Sequence, residues 1–449
     1  MRNQMHNLFK SPFFDFETIR ILGTTAYGGA DVAEVLEAIG QIKDNDPTTW
    51  ESAWRIQADR ALTLAQQASQ HGDHDAARRG YLRASNYTRA SGYMYTSSLG
   101  ADGSLTQDQR ALPIAEKVGE LFRRAIPLMD GAVHELAIPY EDYVLPGYLY
   151  LPPAERRIPG REKIPILVNS GGADSCQEEL YYLNPAAGQG LGYAVVTFDG
   201  PGQGIMLRRY GLEMRPDWEM VTGRVIDHLE EYARDHPKLD LDLDAIAVSG
   251  ASMGGYYSLR AASDPRVKAC VAIDPFYDMW DFGTAHVSPL FIRAWTAGWL
   301  SDGFVDGLMA ILSRLSFQLK WEISVTGTFF GLSSPAEILL HMKNYTLARG
   351  GGSINSYEKG DSIDTSFLAR VTCPVLLSGA EKSLYLDVDN HTRRCYNALT
   401  NVAEKNKEIW VPASVGDGGL QAKMGAFALC NQWTYRFLDE SLGVKRPSL

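Results

Sequence analysis

The 449-residue chain is short of cysteine, of basic runs and of long apolar segments. Its five cysteines, Cys176, Cys270, Cys373, Cys395 and Cys430, make an odd number. None lies in a CxxC or Cys/His cluster with metal-ligand spacing, so neither a disulfide framework nor a zinc module is expected. Reduced thiols, together with the lack of an apolar stretch in Met1–His6, point to the cytoplasm. No run of about eighteen apolar residues occurs, so no membrane-spanning helix is expected. Lys and Arg number 43 against 54 Asp and Glu, a net charge of −11 with no basic cluster. That balance argues against nucleic acid and anionic membranes as partners. A small-molecule partner is left, with the oligomeric state open between monomer and homodimer. Nothing calls for a cofactor or a metal.

What is present is an ordinary globular balance, 45% hydrophobic and 22% charged. The length fits one large α/β domain with additions. Residues from about Asp31 to Phe122 carry helical spacing. Val32, Val35, Leu36 and Ile39 form one stripe, Trp54, Ala58, Ala61 and Leu62 a second, and Tyr81, Ala84, Tyr87, Ala90 and Met94 a third. The break at Gly72–Asp75 reads as a helical hairpin. We therefore expect a helical N-terminal region over residues 1–130 and an α/β region over 131–449.

Val133–Ile138 and Tyr143–Leu151 alternate as an antiparallel edge pair. Short apolar strands follow at Ile164–Asn169, Tyr193–Phe198, Ala245–Val248, Val267–Ile273, Val375–Ser378 and Glu408–Val411. Helices are expected between and after them at Met214–His236, Gly254–Ser263, His391–Leu399 and Gln421–Leu438. This rhythm predicts a mostly parallel sheet covered on both faces. The stretch from about 275 to 370 breaks it. With Phe276, Tyr277, Trp280, Phe282, Trp295, Trp299, Trp321, Phe329 and Phe330, it reads as a helical lid over the carboxyl edge of the sheet, where ligands sit in such folds.

The chemistry concentrates at Gly250-Ala251-Ser252-Met253-Gly254. A GxSxG run between a buried strand and a helix is a nucleophile elbow: glycines flank the serine because side chains would clash at the strained bend. The helix N-terminus then favours negative charge at the serine oxygen. An idle serine in a glycine-rich turn is the bland alternative. An oxyanion hole needs two amide donors. Met253 supplies one, and Gly172 or Ala173, in Ser170-Gly171-Gly172-Ala173-Asp174-Ser175, the other. That loop also reads as a helix cap through Asp174 or Ser175, with Glu178 and Glu179 in the first turn. Asp199-Gly200-Pro201-Gly202-Gln203-Gly204 lacks the Lys-Ser/Thr of a phosphate loop and the order of a dinucleotide site, so it reads as a shaping turn beside the site.

With Gly171–Ser175, Glu178-Glu179, Phe198–Gly204, Gly250–Gly255, Asp264–Ala272 and Cys373–Leu376, and with its helical N-terminal part, nearly the whole chain resembles the FrsA-like α/β hydrolases. Within that group it resembles fungal pigment-pathway heptaketide hydrolases and bacterial dihydroxypseudooxynicotine hydrolase. The resemblance implies an α/β-hydrolase fold and a Ser-Asp-His triad under a lid partly built by N-terminal helices. It also implies cleavage of C–C, ester or related acyl bonds, and a place in polyketide or polyketide–peptide pathways with an apolar substrate.

Two triad positions depart from that pattern. Where Gly-x-x-Asp is expected, Gly379-Ala380-Glu381-Lys382 puts Lys382 at the acid position. Glu381 lies one residue early, and Asp387 and Asp389 lie a little later. Asp387 reads better as a helix cap. No histidine follows His391, so Pro412–Gln421 carries no histidine base, and a serine without a base is a poor nucleophile. Three outcomes follow. His391 or His286 could replace the missing ring, although each reads equally as an ordinary helix or lid residue. A carboxylate such as Asp417 or Asp174 could act as a modest base. Or the elbow and oxyanion hole could serve an enolate in an aldol, Dieckmann or isomerisation step, or a catalytically dead binding partner. His6, His71, His74, His134, His228, His236 and His341 carry no local signature. Ser252, Glu381 and His391 are thus the candidate catalytic set, with Asp174, Tyr277 and His286 as candidate substrate contacts.

Overall fold

A computed structural model describes residues 5–99, 105–348 and 366–446. Five helices open the chain: α1 (Pro12–Gly23), α2 (Val32–Ile39), α3 (Pro47–His71), α4 (His74–Gly92) and α5 (Ala111–Ala125). Their starts are written in short polar side chains. Ser11, Asp31, Asp46 and Asp73 each accept a backbone N–H of the first turn, which satisfies donors that a helix leaves free. Gly72, left-handed at φ 73°, ends α3 and turns the chain into α4. Gly80 lets the two helices close up, since a Cβ there would sit 2.7 Å from the Cβ of Ala65. The Trp50 indole crosses the gap to the Ala90 carbonyl at 2.7 Å.

The sheet has eight strands: β1 (Val133–Tyr140), β2 (Tyr143–Tyr150), β3 (Ile164–Ser170), β4 (Ala194–Phe198), β5 (Leu241–Ala251), β6 (Val267–Ile273), β7 (Val375–Ser378) and β8 (Lys407–Trp410). Their spatial order is β8-β7-β6-β5-β3-β4-β2-β1. Pairings from β8 to β4 are parallel, and β1 and β2 are antiparallel. Every residue of β3 and β4 is buried, as strands covered on both faces require. The outer half of β1 alternates exposed and buried, as an edge strand does. Strand order reverses at β5/β3, and ligands bind at the carboxyl ends beside such a switch point.

Most expected helices are present. The elbow helix starts directly after the serine, over Met253–Ala261, and the expected helix at Met214–His236 runs from Trp218 to Asp235. The stretch from His391 begins as a π-helical turn, Asp389–Arg393, before Arg394–Ala398. The expected helix over Gln421–Leu438 is not continuous. Gln421–Lys423 is a separate turn in which Ala422 (φ 55°) and Lys423 (φ 57°) are left-handed, and the helix begins at Phe427. The helical spacing there is overridden by what Lys423 has to reach, described below. The lid contains the helices Met279–Thr284, Pro289–Thr296, Asp302–Leu315, Phe317–Phe330 and Pro335–His341. It is bonded to α4 and the segment after it by Trp321 Nε1, which donates to the Tyr93 carbonyl at 3.2 Å, and by Thr328, whose hydroxyl donates to Ser97 Oγ at 2.7 Å. Among the described residues no single helix is long and apolar enough to cross a membrane.

The carboxyl ends of β3 and β5 meet at glycines. A Cβ on Gly250 would lie 2.3 Å from the Gly254 carbonyl oxygen and 2.7 Å from that of Ser170. A Cβ on Gly254 would lie 2.4 Å from the Ser170 oxygen. Backbone faces backbone, so the contact cannot relax by a rotamer change. We expect Gly254→Ala to lower the unfolding free energy by about 1–3 kcal/mol. A urea transition with a lower midpoint and unchanged slope is the readout; a wild-type midpoint would mean that the elbow opens without cost.

Candidate active site

Ser252 sits at φ 57°, ψ −117°, a region that costs a non-glycine residue about 1–3 kcal/mol and survives only where the surroundings impose it. Three features impose it here. The Ser252 amide donates to the Ile273 carbonyl at 2.8 Å. The elbow helix takes over at Met253, with Gly255 and Tyr256 donating to the Ser252 carbonyl. The flanking glycines admit the neighbouring backbone. The serine is half-buried and lines a cavity of about 60 Å³.

That cavity is walled by Gly172, Asp174 and Ser175 of the loop after β3, by Arg20 and Thr24 at the end of α1, and by Ala422, Met424 and Phe427. Among the described residues, the amides of Met253, Gly172 and Ala173 donate to no protein acceptor, so they are free for an incoming oxygen. The loop is held by a residue whose role the sequence does not advertise. Gln203 donates through Nε2 to the carbonyls of Gly171 (2.8 Å) and Gly172 (3.0 Å), and its Oε1 accepts the Gly200 amide. The shaping turn thus pins the loop by its carbonyls and leaves the amides to face elsewhere. The short helix Gln177–Leu180 is not capped by Asp174 or Ser175. Asp199 accepts its first amide at 2.8 Å, and also that of Ile205. Burial, then the neighbouring Glu178, push the Asp199 carboxyl up to about 8.

Asp174 has a different task. Its Oδ2 accepts from Arg20 Nη1 (2.5 Å) and from the Tyr93 hydroxyl (2.5 Å). Arg20, almost fully buried, also forms a two-point pair with Glu179 and a weaker contact with Glu17. Arg89 pairs with Glu179 from α4. Three carboxylates therefore surround two guanidinium groups. Glu17 absorbs the imbalance: burial outweighs the opposing pull of Arg20 and raises its carboxyl to about 7. Burial also acts to raise Asp174, but Arg20 and Tyr93 outweigh it and hold that carboxyl below the usual range.

The loop after β8 holds a lysine where a base was sought. The Lys423 ammonium is fully buried and donates to Asp274 Oδ1 (2.7 Å) and the Gly379 carbonyl (2.8 Å). Asp274 ends β6 in a left-handed conformation and also accepts from the Ser378 hydroxyl at 2.6 Å. The strained backbone at Ala422–Lys423 is what delivers the ammonium to the ends of β6 and β7, which the helical spacing of the sequence could not foretell. Beside it, the Gln421 side chain donates to the Asp274 carbonyl.

The remaining candidates lie elsewhere. His391 is buried in the π-helical turn, and its Nδ1 accepts the Tyr277 amide at 3.2 Å. The neutral ring therefore carries its proton on Nε2, and burial lowers its basicity. Tyr277 is buried under the Arg394 guanidinium. Neither borders the Ser252 cavity. His286 is exposed on the lid, Glu381 and Asp417 are exposed on their loops, and Asp387 accepts the Asn390 amide as a cap. Among the described residues no His/Cys/Asp/Glu group has a metal-binding arrangement. Asp174 and Ser175 also border a second chamber of about 370 Å³, lined in part by Tyr93, Ile114, Trp321, Val325 and Phe329. N-terminal helices and lid together enclose it, and its volume suits a small organic ligand.

The comparisons agree with this architecture. Residues 166–394 match the model of an "Alpha/beta hydrolase family". The chain is 76% identical over 447 residues to Hydrolyase ccsE of Aspergillus clavatus, covering 99% of this chain and 100% of that one. It is 67% identical to Hydrolase pyiE of Pyricularia grisea, over 99% of each. The crystal structure of 2,6-dihydroxy-pseudo-oxynicotine hydrolase superposes with a TM-score of 0.66 at 18% identity, covering 95% of this chain and 98% of that one.

Two expectations follow from the buried charges. Lys423→Met leaves the buried Asp274 carboxylate without its cation, so it should cost about 3–5 kcal/mol, and adding Asp274→Asn should recover much of the loss; equal stability of single and double variants in urea would refute the pairing. Glu17 has a raised carboxyl, so the folded state holds a proton that the unfolded chain has released. Its contribution is full below about pH 4.5 and is lost as pH rises to about 7. Glu17→Gln should flatten that fall, by on the order of 3 kcal/mol between pH 5 and 8, as urea unfolding at the two pH values would register.

Proposed function

The chain belongs to the α/β hydrolase family, and from that premise we propose that it is a serine-dependent enzyme acting on acyl groups of an apolar, polyketide-like small molecule, cleaving a C–C, ester or thioester bond. The observation that carries this reading is the strained Ser252, which starts a helix and borders a cavity together with Gly172 of the loop after β3. In the proposed reaction Ser252 Oγ attacks the acyl carbon. The carbonyl oxygen gathers negative charge, which the Met253 amide and that of Gly172 or Ala173 stabilise together with the helix N-terminus. The neighbouring chamber, with Trp321, Phe329 and Ile114 in its wall, suits an apolar substrate body. The names of the relatives say hydrolase or hydrolyase, which supports the reaction class. A place in fungal secondary metabolism rests on the family resemblance.

A second reading keeps the same cavity for proton transfer at carbon, as in an aldol-type or Dieckmann-type cyclisation or an isomerisation. It is favoured by the wall around Ser252, which holds Arg20 and Asp174 and no histidine among its residues. A carboxylate beside an oxyanion hole can make and hold an enolate.

A fluorophosphonate separates these readings. We expect it to label folded protein at Ser252, and Ser252→Ala to abolish both label and turnover. Folded protein that takes no label, with full activity in Ser252→Ala, would remove the nucleophile. With the substrate in hand, a product heavier by water or split in two supports cleavage, while a product of unchanged mass supports the second reading.

A further inference from the structure

We propose that Asp174 is the proton acceptor for Ser252, a catalytic carboxylate standing where this family's chemistry calls for histidine and held in place by Arg20 and Tyr93 of the N-terminal helices. The inference rests on the Ser252 reading above and deepens it.

Four observations carry it. Asp174 and Ser252 line the same cavity of about 60 Å³, and no histidine belongs to its wall. The carboxylate is divided in function. Oδ2 is engaged by Arg20 and Tyr93, while among the described residues no other residue donates to Oδ1. Oδ1 also lies beside Gly172, which borders the backbone of the elbow. A Cβ placed on Gly172 would be 3.9 Å from it and 3.5 Å from the carbonyl oxygen of Ala251, the residue before the serine. Finally, the group is fixed from outside the sheet: Arg20 on α1 is itself locked by its two-point pair with Glu179, and Tyr93 packs on Trp321 of the lid at a ring separation of 5.1 Å. A carboxylate held this tightly keeps its free oxygen in one place, which general-base catalysis needs.

The step balances. As Ser252 Oγ bonds to the acyl carbon, its proton passes to Asp174 Oδ1 and the carbonyl electron pair moves to oxygen, facing the free amides. Collapse of that intermediate breaks the bond to the leaving group, which takes the proton back from Asp174. With a fluorophosphonate, Oγ bonds to phosphorus, fluoride departs and the proton again goes to Asp174. The charged and titratable groups around Asp174 are Glu17 and Arg20 on α1, Tyr93 just after α4, Tyr385 after β7, and, through Arg20, Glu179 with its partner Arg89 on α4.

The test is the rate at which a fluorophosphonate labels Ser252, with folding followed by circular dichroism. Asp174→Asn keeps the shape but cannot take a proton, so labelling should slow by about 10²-fold or more. Tyr93→Phe leaves Asp174 and Arg20 in place and removes one hydrogen bond that stabilises the ionised carboxylate. The acid limb of its pH–rate profile should therefore move to higher pH, a shift that a merely structural role would not produce. Both profiles are read with Glu17→Gln present, so that the Glu17 proton does not move in the same window. In that background the limb should lie below the ordinary aspartate range, and a limb near the histidine value of about 6.5 would assign the proton to a histidine instead. Asp174→Asn that labels within about threefold of wild type would overturn the role of Asp174 and leave Ser252 standing, since positioned bases are worth far more than that. Folded wild-type protein that takes no label would remove both.

Discussion

The structure hangs on a close approach of backbone to backbone at the carboxyl ends of two neighbouring strands. Gly250 and Gly254 let the elbow after β5 pass within contact of the Ser170 carbonyl at the end of β3. Any side chain there would push the two strand ends apart. With them in contact, Ser252 is forced into a conformation that a free chain would avoid, and its hydroxyl is directed at the space above the sheet. The strain is supported by the eight-stranded core beneath, whose central strands are buried on both faces. Stability is thus held in the sheet, and the reactive bend is imposed from below.

Charge is organised around that bend in two layers. Beneath it, the Lys423–Asp274 pair ties the loop after β8 to the ends of β6 and β7. A fully buried pair of this kind earns little net stability over an apolar alternative but is costly to break, so it selects one position for the loop. Above the bend, Arg20 carries an N-terminal helix down onto Asp174 and Glu179. The helices before the sheet therefore contribute directly to the wall of the Ser252 cavity. Gln203 does for the loop after β3 what these ion pairs do for the rest, holding it by the carbonyls of Gly171 and Gly172.

In the proposed reading such a site stabilises a developing oxyanion without histidine at its wall. What replaces the ring decides the chemistry. A carboxylate shared with a guanidinium and a phenol stays ionised at lower pH than imidazole stays neutral, and it stands between the serine cavity and the larger chamber. Acyl transfer at Ser252 and enolate formation in the same cavity call on the same donors and the same carboxylate, which is why the two readings share every residue and differ only in the bond that changes.

The sequence by itself determined the α/β class, the order of strands and helices along the chain, the helical lid, and the elbow at Ser252. These are local facts: alternation, helical spacing and the two glycines that a strained turn requires are written in residues a few positions apart. The sequence also marked where histidine was missing. It could not say what stood in its place. Lys423 reads as one more charged residue in an expected helix, yet it is buried against Asp274, 149 residues away. Arg20 carries no local signature in the sequence, yet it meets Asp174 across 154 residues. His391 looked like a base and instead accepts a backbone amide 114 residues back. Pairings of that span depend on which strand ends lie side by side and on which charges burial leaves no choice but to meet, and only the folded chain decides them.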